Sequence, residues 1–176
     1  YDRDAVVKLF RELEFFKVLN RLPAFSGMKE QAATQAPDDG KCSVVDTAAA
    51  LEQALARLAG AQSLIVRVVT ERRDRSGAEI VALALGLPSD DVYYLPFGSA
   101  GLDLPQTLER LRKVLTDERI GKLAHDGKEV VNALARYGVE LRGLEFDTMI
   151  AAYLLGEKAA ELPALALSKL GLEIAA

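Results

Sequence analysis

The sequence predicts an α/β domain, a mixed sheet flanked by helices, preceded by a separate N-terminal helix and a linker. Two observations predict it. Three apolar runs follow one another between residues 64 and 97, separated by short polar turns, and helical and extended patterns alternate after them. Together they point to a mixed sheet with helices packed on it. A hydrophobic content of 50% over 176 residues is enough for one core with some chain to spare.

The elements follow in order. Val6, Leu9, Phe10, Leu13, Phe16 and Leu19 recur at three- and four-residue steps, which predicts one helix over residues 1–23. Residues 24–41 are small, polar and aperiodic, and read as a flexible linker. The main domain is therefore expected over 42–176. Ser43 to Val45 reads as a short strand, and Asp46 or Thr47 as the cap of a helix with Leu51, Leu55 and Leu58 inward. Leu64–Val69, Ile80–Leu85 and Val92–Phe97 are strands. The second is apolar on both faces and so expected to be central. Pro105 opens a helix that turns Leu108, Leu111 and Leu115 inward. A short strand over Lys122–His125 leads to a capping box, Asp126 with Glu129 three residues on, and a helix to about Tyr137. A strand ending at Phe146, a helix from Thr148, and a last helix over Pro163–Leu170 complete the pattern.

Composition narrows the chemistry. One cysteine, Cys42, excludes an internal disulfide and suits a reducing, cytoplasmic setting; it reads as a small strand-edge residue. One histidine and one cysteine make a zinc site unexpected. The net charge of −4 is no footprint of a free-standing nucleic-acid binder, though a module tethered to a larger nucleic-acid enzyme stays open. The apolar run Met149–Leu155 is too short to span a bilayer, and no membrane partner is expected. The ends, Tyr1 and Ala176, read as cuts within something longer.

Carboxylates are the plausible catalysts. Phosphodiester hydrolysis by two metals needs acids converging on two divalent cations roughly 3.5–4 Å apart, with hard oxygen ligands that suit Mg2+ or Mn2+. The candidates are Glu71, Asp74, Asp126 and Asp147. Each has a plainer reading: Glu71 and Asp74 as part of a solvated charged turn over residues 71–77, Asp126 and Asp147 as helix caps, and His125 as a strand-end residue.

The stretch YGVELRGLEFDTMIAAYLL (residues 137–155) resembles the 3′–5′ exonuclease domain of bacterial family A DNA polymerases, the polymerase I type. Residues 161–172, ELPALALSKLGL, are similar to the helix that follows in that family. Residues 1–23, with LFRELEF, resemble the segment between its 5′ nuclease and exonuclease domains. The resemblance implies a ribonuclease H-like fold. It also implies four acids, from three motifs, holding two metals in active members. The Asp-x-Glu motif falls on Arg67 and Val69 when the strand is anchored at residues 78–83. A two-residue slip would recover Glu71 alone. Asn-x-x-x-Asp falls on Asp126 and Val130, so valine stands where a metal ligand would be. The third motif would follow Ala176.

The resemblance thus implies a degenerate proofreading domain acting as a scaffold, with no metal of its own. Its expected partners are DNA, through the parent polymerase, and the polymerase and 5′ nuclease domains of the same chain. Two alternatives stay open: an active exonuclease using Glu71, Asp74, Asp126 and Asp147 with Mg2+ or Mn2+, or a protein-docking module. Arg67, Arg72, Arg73 and Arg75 are candidate phosphate contacts, or solvated turn charges.

Overall fold

Six strands form one sheet in the order β1-β4-β3-β2-β5-β6, and the reasons lie in the chain's alternating patterns. The computed structural model describes residues 9, 42–74, 77–89, 91–98, 101–157, 159–172 and 174, with backbone alone at 72–74 and 77. The helix expected over 1–23 and the linker over 24–41 lie outside the described residues, Leu9 excepted. The chain divides into two compact units, Asp39–Ala151 and Tyr1–Asp38 with Ala152–Ala176.

In the larger unit, β1 (Cys42–Val44) precedes α1 (Ala48–Leu58), whose first turn is capped by Thr47 Oγ1 accepting from Ala50 N at 3.2 Å. β2 (Ser63–Asp74) and β3 (Gly77–Gly86) form a long antiparallel hairpin, and β4 (Val92–Pro96) pairs antiparallel with β3. β1 lies parallel to β4 at the edge. The hairpin corrects one expectation. Residues 71–74 are strand rather than turn, with Glu71 directly opposite Glu79, so only residues 75–76 separate the two strands.

α2 (Leu104–Thr116) then crosses back, carrying Leu108, Leu111, Val114 and Leu115 into the core. Asp103 Oδ1 caps it by accepting from Gln106 N at 2.9 Å. The sequence signal, an aspartate just before Leu-Pro, was there to be read. β5 (Gly121–Ala124) joins β2 in parallel, α3 (Gly127–Ala135) follows, and β6 (Leu144–Asp147) joins β5 in parallel. A parallel neighbour needs a crossover, and α2 and α3 supply the two here. The core gathers one face of the strands (Leu64, Val66, Leu83, Leu85, Leu95) with α1, α2 and α3. Lys122 is fully buried, and its Nζ donates one hydrogen bond to the Asp117 carbonyl. Burial pushes that ammonium's pKa down, against the pull of Asp117 and Glu145.

α4 (Thr148–Leu154) begins in this unit, and the division falls within it. Of its side chains Ile150, Tyr153 and Leu154 are exposed, and Ala152 is buried. In the smaller unit, α5 (Leu162–Leu165) starts at a proline-containing turn and runs on as a π turn over Ala166–Leu170. Gly171 ends it with a positive φ, its N–H donating to Leu167 O at 3.1 Å, the left-handed cap that glycine adopts without a Cβ clash.

Candidate functional site

The parallel strands β5 and β6 end side by side, Ala124 opposite Asp147, and each runs on into a helix. Two helix N-termini therefore meet at one place, with unpaired N–H groups and the positive ends of both dipoles. Asp147 occupies it. Its Oδ1 accepts from Met149 N at 2.8 Å, Asp126 N at 3.2 Å and Ile150 N at 3.4 Å, while Oδ2 accepts from Gly127 N at 2.6 Å. Burial alone would push this carboxyl's pKa up. The four backbone donors outweigh it and hold the pKa below the ordinary aspartate value. Asp147 is thus a cap, as the sequence suggested, but of α3 as well as of α4.

This second tie changes the capping box. Asp126 Oδ1 accepts from Glu129 N at 3.1 Å, the forward half. The return half is not made, because Asp126 N already donates to Asp147. Glu129 turns instead to β2, where its Oε1 accepts from Thr70 Oγ1 at 2.9 Å. Asp126 itself sits at φ 56° and ψ 60°, a left-handed conformation that aspartate tolerates better than most residues. Beside it, a Cβ on Gly127 would lie 2.7 Å from Leu144 Cδ2 and 3.1 Å from Asp147 Oδ2. Gly127→Ala is expected to cost about 1–2 kcal/mol by overpacking. A urea midpoint unchanged from wild type would show that Leu144 simply moves aside. His125 closes the cluster, its Nδ1 2.8 Å from Thr148 Oγ1.

The positions singled out by the resemblance lie elsewhere on these elements. Arg67 is exposed and Val69 half-buried, alternating along β2 with the buried Val66 and Val68. Val130, on the second turn of α3, is 2% exposed and belongs to the core. One guanidinium and two hydrocarbon side chains offer no oxygen to a hard cation. The alternative carboxylates are spread out in role. Glu71 is exposed on β2, the Asp74 side chain is not among those described, Asp126 caps α3, and Asp147 has both oxygens engaged by backbone. Among the described residues no three His, Cys, Asp or Glu side chains form a metal-binding group. Of the basic candidates, Arg67 is exposed on β2, while the Arg72, Arg73 and Arg75 side chains lie outside the description.

A β4–β3–β2 antiparallel half joined to a β2–β5–β6 parallel half, with helices packed on it, is the ribonuclease H-like α/β architecture. The E. coli RNase D structure shares that fold at a TM-score of 0.64 and 16% identity, over 77% of this chain and 35% of that one. More particularly, residues 66–169 match the family described as DNA polymerase I, ribonuclease H-like domain, and the chain belongs to that family, as an exonuclease domain of the DNA polymerase I type. The DNA polymerase I of Chloroflexus aurantiacus is 27% identical over 90% of this chain and 20% of the relative. The M. smegmatis Pol1 structure, a complex with DNA primer-template and dNTP, aligns at a TM-score of 0.61 with 26% identity, over 76% of this chain and 23% of that one. The chain spans between 16 and 20% of the length of the curated relatives it matches. Among the described residues no helix is long and apolar enough to cross a membrane.

Proposed function

We propose that this chain is the exonuclease domain of a DNA polymerase I that has lost metal-dependent cleavage and serves as a scaffold for the parent polymerase. The observation that carries the reading is the donor set at the motif positions. Arg67 repels a divalent cation, and Val69 and Val130 cannot ligate one. Such residues do not fit a two-metal centre. The spare acids do not replace it: Asp147 spends its lone pairs on two helix ends, and Asp126 and Glu129 hold α3 in place.

In this reading residues 1–23 belong to the end of the preceding 5′ nuclease region, 24–41 form a linker, and 42–176 form the scaffold. Arg67, Arg72, Arg73 and Arg75 contact DNA phosphates without cleaving them. The partners are DNA and the polymerase and 5′ nuclease domains of the same cytoplasmic protein.

The test is the intact parent incubated with end-labelled single-stranded DNA and Mg2+ or Mn2+, its 5′ nuclease inactivated. No shortening from the 3′ end is expected, and deletion of residues 42–176 is expected to lower polymerase stability or processivity. Metal-dependent shortening that Glu71→Gln or Asp126→Asn abolishes would instead establish the relocated-carboxylate exonuclease. A deletion without effect on the polymerase would remove the bracing role and leave a docking module.

A further inference from the structure

We draw no further inference here: the strongest candidate, the cavity of about 350 Å3 between the start of β3, the loop after β4 and the N-terminus of α2, carries nothing because its charged lining is the two exposed carboxylates of Glu79 and Asp103 and no buried polar side chain among the described residues that line it points to a ligand.

Discussion

Asp147→Ala is expected to lower the unfolding free energy of the Asp39–Ala151 unit by about 3 kcal/mol, because hydrogen bonds to a charged group are worth roughly 1.5–3 kcal/mol each. Only two of the four contacts are strong, those from Gly127 N at 2.6 Å and Met149 N at 2.8 Å. The donors from Asp126 and Ile150, at 3.2 and 3.4 Å, add little. A single N-cap is typically worth about 1 kcal/mol, and this carboxylate serves two helices and is buried, which places the loss above that figure. Asp147→Asn keeps one acceptor oxygen but turns an amide NH2 toward backbone donors, so it should recover less than half of the difference. The pH dependence has a definite sign. Asp147 has a folded pKa below the ordinary aspartate value of 3.8, so its stabilisation is complete well above that value. It is lost as the pH falls through the lower, folded value. The difference in urea midpoint between wild type and Asp147→Ala should therefore be constant from neutral pH down to about pH 5 and shrink below 4. Taking the difference removes the contribution of Asp117, whose hydrogen bonds from Arg119 also hold its pKa down. A loss under 1 kcal/mol, or a difference that does not vary with acid, would mean that water replaces the carboxylate at both helix ends.

Asp147 also shows where sequence reading succeeds and where it stops. Its role as the cap of α4 was legible, because a helix N-terminus is a local event written in three or four residues. Its grip on α3, twenty residues earlier in the chain, was not, because that contact exists only once β5 and β6 pair and bring their C-terminal ends together. The same limit explains the half-formed capping box at Asp126. Residues 126 and 129 have the spacing, but Asp147 and Thr70 compete for their groups from other strands. The strands and helices were readable because period-2 and period-3.6 patterns are carried by contiguous residues. The charged stretch 71–74 was misread as a turn for a related reason. Its polarity signals exposure, and an exposed hairpin extension is as polar as a loop. Lys122 left no sequence signal, since a lysine in a short strand is ordinarily at the surface and only the Asp117 carbonyl explains this one.

The positions that the resemblance singles out lead to the largest expected effect. Val130→Asp, restoring the acid that the resemblance places there, is expected to destabilise the unit by about 4 kcal/mol at neutral pH, the cost of a buried unpaired carboxylate. Val130 is 2% exposed and packed among apolar side chains of the core, so the new charge is shut away from water. Val130→Thr, which adds a hydroxyl without a full charge, should cost roughly 1–2 kcal/mol. Arg67→Asp on the exposed side of β2 should stay within about 0.5 kcal/mol of wild type. The contrast separates a core packed closed around Val130 from a cavity that lacks only acidic side chains. In the second case, Arg67→Asp, Val69→Glu and Val130→Asp combined would acquire a Mg2+-dependent rise in stability, since a cation bound only by the folded state stabilises it by about 2.7 kcal/mol at a hundredfold excess over Kd. In the first case, denaturation midpoints of the triple variant with and without Mg2+ coincide, and the single Val130→Asp variant unfolds at far lower urea than wild type. The core packing of Val130 favours the first outcome. A magnesium-dependent midpoint would show instead that a cation-sized cavity persists beside Arg67, Val69 and Val130.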